Sequence, residues 1–122
     1  MGLADLDGDG DLDVPVNNLR SPARIFENQL CTGQSLVVHL SQAGTGNTSA
    51  LGAEVRLQTS TGVYRRQVQA ASGYLSGRGP ALHCGLSEGS EILALEIRWP
   101  DGIASLIGGQ SLQPNSRVAV SR

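Results

Sequence analysis

Apolar residues at every second position are the feature that most limits what this chain can fold into. From Ile92 to Trp99, the apolar residues Leu93, Leu95, Ile97 and Trp99 alternate with small or polar ones. Successive side chains of a β-strand point to opposite faces of the sheet, so this spacing predicts a half-buried strand. The four apolar residues are expected in its core, whereas Glu96 and Arg98 are expected to face water.

Shorter segments repeat the alternation, and turn sequences separate them. Residues 36, 38 and 40 form one predicted apolar face, and residues 55 and 57 form another. Pro100-Asp101-Gly102 predicts a tight turn that leads into a returning strand over residues 103–107. The two strands on either side of this turn are therefore expected to form a hairpin.

Two further turn sequences complete the predicted fold. Thr59–Gly62 precedes a predicted strand over residues 63–69, and Pro114-Asn115 precedes a last strand over residues 117–120. Helical periodicity is almost absent from the chain. Short strands separated by frequent turns predict an all-β fold, an antiparallel β-sandwich or small barrel of seven to eight strands.

Composition excludes several classes of protein. With 122 residues, the chain is long enough for one domain but too short for a second full one. No apolar run approaches the roughly eighteen residues that span a membrane, so a membrane protein is not expected. The nine Arg residues are scattered and follow no common face, and nucleic-acid binding is therefore not expected either.

A short acidic segment near the N-terminus predicts a metal site. Five carboxylates alternate with other residues in a run that contains no cationic side chain: Asp5, Asp7, Asp9, Asp11 and Asp13. Carboxylates about 4 Å apart repel by roughly 4 kcal/mol per pair at an effective dielectric constant near 20. Such a loop must stay open and solvated or bind a cation. Its hard oxygen ligands favour Ca²⁺ over Zn²⁺.

The spacing places the five residues at positions 1, 3, 5, 7 and 9 of a calcium loop. At position 7, Asp11 would contribute its backbone carbonyl. An EF-hand is excluded because position 12 is Val16 rather than Glu, and Pro15 stands where a second helix would begin. Val14-Pro15-Val16 instead predicts a short strand at an edge or a bulge. The alternative is that these residues form a flexible acidic segment that binds no ion.

The stretch from Gly2 to Val16 resembles the calcium loop of FG-GAP/VCBS repeats, which are the blades of integrin-type β-propellers. The resemblance implies that the Asp residues bind calcium and tie one blade strand to the next. It also implies that residues 1–27 are the remnant of one such repeat, whose preceding propeller is missing.

Four later blocks resemble the ASPIC/UnbV domain in order and spacing. They are Leu51-Gly52-Ala53-Glu54-Val55, Ser72-Gly73-Tyr74-Leu75-Ser76, Leu82-His83-Cys84-Gly85-Leu86 and Glu96-Ile97-Arg98-Trp99-Pro100-Asp101-Gly102. The resemblance implies an ASPIC/UnbV-like β domain over residues 28–122. In the cartilage acidic protein-like family and its bacterial relatives, this domain directly follows FG-GAP/VCBS repeats. One departure is Cys84, whose position is usually aromatic in the family.

No residue pattern points to catalysis, and an enzyme is not expected. His39 is out of phase with the apolar face of its strand, and Ser76 has no nucleophile-elbow context. Asp101 is explained by its turn and Glu96 by the solvent face of its strand. His83 lies in a block that resembles the family, either as a hydrogen-bonded structural residue or as part of a site.

Two non-enzymatic functions remain. The chain is either an extracellular-type recognition module for a protein or glycan partner, or a structural cap that packs on a propeller. Aromatic residues make up only 3% of the chain, which weakens glycan stacking as a mode of binding. Tyr74, Arg78 and His83 are the candidate binding residues, although Tyr74 could equally be a buried turn residue.

The calcium loop, the two cysteines and the unpaired strand edges bear on the compartment and the assembly of the protein. Calcium loops of low affinity usually bind their ion only in calcium-rich extracellular or periplasmic fluid. No signal peptide is recognisable after Met1. Cys31 and Cys84 either form a disulfide or remain free, with Cys84 as a small buried hydrophobe. A lone blade fragment leaves strand edges unpaired, so residues 2–28 are expected to join their own sandwich or a neighbour's in a strand-exchanged homodimer.

Overall fold

A computed structural model of the protein describes residues 2–9, 11–29, 34–71 and 79–122. In these ranges nine β-strands form three sheets, and a 3₁₀ turn spans Gly109–Ser111. The strands are β1 Val14–Val16, β2 Arg24–Phe26, β3 Gln34–Ser41, β4 Glu54–Thr59, β5 Val63–Gln67, β6 Leu82–Leu86, β7 Ile92–Arg98, β8 Ala104–Gly108 and β9 Ser116–Ser121. The predicted all-β fold is confirmed. None of the described segments forms a helix long and apolar enough to cross a bilayer.

Two of the sheets pack face to face as a sandwich. One has the strand order β6-β3-β9 and the other has the order β5-β4-β7-β8. Their facing sides share one apolar core, to which the central strands contribute Leu36, Val38, Val55, Leu57, Leu95 and Ile97. These seven strands agree with the predicted number, and the sandwich is the predicted alternative that the structure shows.

The predicted turns form the hairpins expected of them. β4 and β5 pair antiparallel, and Thr59 closes their turn, since its N–H and its hydroxyl both donate to the Gly62 carbonyl oxygen. β7 and β8 pair antiparallel around Pro100-Asp101-Gly102. Gly102 has a φ of +87°, a conformation that glycine adopts without steric cost.

The phase of β7 was predicted wrongly at Leu93. Gln58 of β4 pairs with Ala94, but the next residue, Thr59, pairs with Ile92, so Leu93 is an extra residue in its strand. Such a bulge reverses the alternation at that point. Ile92 consequently faces the core and Leu93 is 54% exposed. The prediction is confirmed for Leu95, Ile97 and Trp99, which are buried.

One strand pairing departs from the predicted antiparallel arrangement. β9 pairs with β3 in parallel, from Leu36 opposite Ser116 to Ser41 opposite Ser121. Asn115 starts this pairing, because its N–H donates to the Ser35 carbonyl at 2.7 Å and its side-chain oxygen accepts from the Ser35 N–H at 2.9 Å. Asn115 has a φ of +56°, which Asn tolerates better than most residues. The end of the chain thus lies beside the first strand of the sandwich.

The N-terminal segment forms a small sheet of its own. β1 contains Pro15, as predicted, and pairs antiparallel with β2, where Ile25 lies opposite Pro15. Both Ile25 and Phe26 of β2 are exposed. The strand-exchanged homodimer stays a prediction.

The bulge at Leu93 generates a test in which two leucines of one strand behave differently. Leu95→Ala should lower the free energy of unfolding by about 2 to 5 kcal/mol, because it leaves a cavity in the core. Leu93→Ala should change it by about 0.5 kcal/mol or less, because that side chain faces solvent. Urea denaturation of both variants measures the difference. Equal losses would show that the strand alternates without the bulge.

Candidate metal centre

Backbone hydrogen bonds close the acidic loop at its base. The Ala4 N–H donates to the Asp13 carbonyl at 3.2 Å, and the Asp13 N–H donates to the Ala4 carbonyl at 2.8 Å. The Gly2 N–H donates to the Pro15 carbonyl at 3.0 Å. Residues 2–4 therefore lie antiparallel to residues 13–15, and residues 5–12 form the loop between them.

Asp13 holds the loop from inside with a carboxylate that is only 1% exposed. Its Oδ2 accepts from the Leu6 N–H and its Oδ1 accepts from the Asn28 N–H, both at 2.9 Å. The hydrogen bond from Asn28, followed by that from Leu6, lowers the pKa of Asp13 below its ordinary value of 3.8. One side chain thus connects the loop, the start of β1 and the chain that follows β2.

Three of the five predicted metal ligands come together. Carboxylate oxygens of Asp5, Asp7 and Asp9 all lie within 4.8 Å of one another. A backbone N–H fixes each of these side chains: Gly8 donates to Asp5 Oδ1 at 2.7 Å, Asp9 to Asp7 Oδ1 at 3.2 Å, and Asp11 to Asp9 Oδ1 at 2.9 Å. The loop therefore presents a preorganised set of hard oxygen ligands, which suits Ca²⁺.

Asp11 and Asp13 lie outside this group of three. The pKa of Asp11 is raised, first by burial and then by the neighbouring carboxylates, of which Asp9 contributes most. The Asp13 side chain is directed instead toward the N–H groups of Leu6 and Asn28. The metal-binding role of all five residues stays a prediction.

Arg117 joins the loop to the sandwich. Its guanidinium donates to Asp5 Oδ2 at 2.8 Å, and the Asp5 side chain is almost completely buried there. Arg117 belongs to β9, 112 residues further along the chain. The sequence pattern does not predict this contact, because nothing in the local sequence around Arg117 distinguishes it from the other scattered Arg residues.

A narrow cleft of about 160 Å³ separates the N-terminal segment from the outer face of the β6-β3-β9 sheet. Val37, His39 and His83 line it on the sheet side, and Leu3, Asp5 and Leu12 line it on the other. Val37 points away from the core yet is buried, which shows that the N-terminal segment covers this part of the sheet. His39 is exposed, as predicted.

The predicted binding residues are only partly described. His83 lies in β6 directly opposite Val37 and is half-buried in the cleft. Tyr74, Arg78 and Ser76 lie outside the described residues, as does Cys31. Binding roles for Tyr74, Arg78 and His83 stay predictions.

Cys84 is a free thiol buried in the core, where it pairs across the sheet with Leu36. Burial raises the pKa of this thiol, an effect that the charge of Arg66 partly offsets. Of the two alternatives that the sequence left open, the structure shows the small buried hydrophobe.

The remaining polar candidates have structural roles. Asp101 accepts from the Ile103 N–H in its turn and forms an ion pair with Arg122 at 2.6 Å. Glu96 lies 3.6 Å from Arg56 on the solvent side of its strand. Both agree with the sequence interpretation.

The part of the chain that matches a known family model lies within the sandwich. The family model for ASPIC and UnbV matches residues 43–121. The chain belongs to the ASPIC and UnbV family. This confirms the resemblance carried by the four sequence blocks, whereas the FG-GAP/VCBS resemblance of the N-terminal loop stays a prediction.

Curated relatives of this ASPIC and UnbV chain are much longer proteins. Cartilage acidic protein 1 from Xenopus tropicalis is 32% identical over 104 residues, and its counterparts from Mus musculus and Homo sapiens are 35% identical over 106 residues. These matches cover 82% of this chain but only 15–16% of the relatives. The chain therefore spans about one sixth of their length.

The pKa shifts of Asp13 and Asp11 predict opposite effects of pH on stability. Because the folded-state pKa of Asp13 is lowered, its charged form stabilises the fold above about pH 4, and this contribution is lost as the pH falls through the folded pKa. In chelator, Asp13→Asn should therefore lower the thermal midpoint at neutral pH, and the difference from the original protein should shrink in acid.

Asp11→Asn is the matched control for Asp13→Asn. The folded-state pKa of Asp11 is raised, so its charge destabilises the fold at neutral pH. Removing that charge should raise the midpoint at neutral pH, with no gain in acid. Thermal unfolding followed by circular dichroism between pH 3 and pH 8 measures both variants. Parallel pH profiles for the two would contradict the assigned roles.

Proposed function

We propose that this chain is a calcium-binding recognition module of an extracellular-type protein, and that residues 5–13 are its metal site. The observation that carries the proposal is the approach of Asp5, Asp7 and Asp9, whose carboxylate oxygens lie within 4.8 Å in a loop that is closed at its base. Arg117 pairs with Asp5, and a bound cation would relieve the remaining repulsion among the three carboxylates.

Calcium would supply positive charge at the centre of the loop. Asp5, Asp7 and Asp9 would bind it through side chains, and Asp11 through its backbone carbonyl, which is the predicted position 7. Asp13 would orient the loop through its hydrogen bonds to Leu6 and Asn28.

Asp5 gives the metal site a connection to the rest of the molecule. Its Oδ2 is bound by Arg117 of β9 and its Oδ1 faces the loop, where it accepts from Gly8. An ion at the loop would therefore act on a carboxylate that is already attached to the sandwich. In this proposal calcium fixes the position of residues 2–28 on the outer face of the β6-β3-β9 sheet.

The relatives support an extracellular-type setting, since their name associates them with cartilage. Residues 1–27 would then form one FG-GAP/VCBS repeat, as the resemblance of Gly2 to Val16 to the calcium loop of such repeats implies. The chain spans about one sixth of the length of those relatives, so the proposed function concerns this domain and not the whole proteins.

One observation favours a second function, that of a structural cap. β2 is exposed along its whole length and presents Ile25 and Phe26 to solvent. The two side chains point to opposite faces of the strand, so either face of β2 is available to pack on further protein. A cap would bind no ligand of its own, whereas a recognition module would bind one saturably.

Calorimetric titration of chelator-stripped protein with calcium tests the proposed metal site. We expect saturable binding with a dissociation constant of about 0.1 to 1 mM, the range of extracellular calcium modules. At about 10 mM calcium, mass action should then stabilise the fold by roughly 1.4 to 2.7 kcal/mol. Asp7→Asn and Asp9→Asn should abolish both effects.

Glu88→Gln is the control for these variants, because it removes one negative charge from an exposed turn outside the loop. Its calcium affinity should equal that of the original protein. A protein that gives neither binding heat nor a thermal shift at millimolar calcium would refute the metal site.

A further inference from the structure

The outer face of the four-stranded sheet contains a groove that none of the functions above uses. It crosses β5, β4 and β7 and has a volume of about 470 Å³. Volumes of about 300 to 1,000 Å³ are typical of ligand sites. Its polar lining consists of Glu54, Arg56, Arg65, Arg66, Gln67, Glu96 and Arg98.

The strand register brings like charges together in this groove. Arg56 of β4 lies directly opposite Arg65 of β5. Directly opposed like charges destabilise a sheet. The side chain of Arg56 has a carboxylate partner, Glu96, at 3.6 Å. Two neighbouring strands thus place two arginines side by side on one groove, at a cost to the stability of the sheet.

Arg65 and Arg98 lack a carboxylate partner of this kind among the described residues. Across the described residues, no carboxylate lies within ion-pair distance of the Arg65 or Arg98 guanidinium, even though Glu54 is the strand partner of Arg98. Guanidinium groups bind carboxylate and sulfate through paired hydrogen bonds. The groove therefore offers forked donors to oxyanions from β5 on one side of β4 and from β7 on the other.

The acidic and amide side chains of the groove indicate what else its ligand must carry. Glu54 and Glu96 are acceptors suited to hydroxyl hydrogens, and the Gln67 amide both donates and accepts. A ligand that carries hydroxyl groups beside an oxyanion satisfies both sets. Nucleic acid fits less well, because single strands bind by stacking their bases on aromatic side chains, and none of the described residues that line the groove is aromatic.

We propose that this groove binds an acidic saccharide, a sugar chain with carboxylate or sulfate groups beside its hydroxyl groups. Arg65 and Arg98 bind oxyanions of the chain, and Glu54 and Glu96 accept hydrogen bonds from sugar hydroxyls. This inference rests on the recognition part of the proposed function but not on the calcium part, since the groove and the loop lie on opposite outer faces of the sandwich.

Binding of defined oligosaccharides tests the proposal. The probes are heparin, hyaluronan and neutral dextran oligosaccharides of equal length, measured by calorimetry at physiological ionic strength. Binding of heparin alone assigns the site to sulfate, and binding of hyaluronan as well assigns it to carboxylate, both in support of the proposal. Equal binding of dextran, or binding of none of the three, overturns it.

Matched variants locate the site. Arg65→Gln with Arg98→Gln should weaken binding about tenfold or more, because each change removes charge-assisted hydrogen bonds. Arg20→Gln with Arg24→Gln removes the same charge from the N-terminal segment and should leave the affinity within about twofold. Equal weakening by both pairs would mean nonspecific attraction and would overturn the site.

Two further measurements distinguish forked hydrogen bonding from simple charge attraction, and a saccharide ligand from a nucleic acid. Arg65→Lys with Arg98→Lys keeps the charge but loses the forked donors, so it should bind with intermediate affinity while retaining the thermal midpoint. An oligodeoxythymidylate that binds as tightly as the saccharide through the same arginines would overturn the saccharide class.

Each titration is run in millimolar calcium and in chelator. Saccharide binding in both, together with a failed calcium titration, would leave this inference standing and reject the metal site. Calcium binding without saccharide binding would reject this inference and leave the metal site standing.

Discussion

Face-to-face packing of two narrow sheets is the constraint on which the rest of this molecule depends. Leu36 of β3 meets Leu57 of β4 and Leu95 of β7 in one core, and all three are fully buried. Burying a leucine contributes about 1.5 to 3 kcal/mol. Because aromatic residues are scarce, aliphatic side chains fill this core, and the only Trp of the chain satisfies its N–H with Ser105 at 2.9 Å.

Packing one face of each sheet leaves two outer faces, and each has its own chemistry. The outer face of β6-β3-β9 receives the acidic segment through the Arg117–Asp5 ion pair. That of β5-β4-β7-β8 exposes opposed arginines. Packed sheets lie about 10 Å apart, so charge on one face is partly separated from charge on the other. A chain with a net charge of only −2 thereby carries an anionic and a cationic surface.

Local periodicity predicted what depends on neighbours in sequence. It predicted the core faces of β3 and β4, the hairpin turns and the grouping of Asp5, Asp7 and Asp9. It failed where distant pairing decides. The bulge at Leu93 follows from the register with Thr59, which lies 34 positions earlier in the chain. The contact of Arg117 with Asp5 and the parallel pairing of β9 likewise join opposite ends of the sequence, and alternation within a strand carries no information about such partners.

The parallel pairing of β3 with β9 affects how the protein must be made. Ser35 and Asn115 are 80 residues apart, yet their hydrogen bonds begin the ladder that completes the sandwich. Contacts between such distant residues slow folding, because the intervening chain must first be brought into place. During synthesis, β3 leaves the ribosome well before its partner and keeps one edge unpaired. The sandwich therefore becomes complete only when β9 emerges, and until then its first strand is open to pairing with other nascent chains.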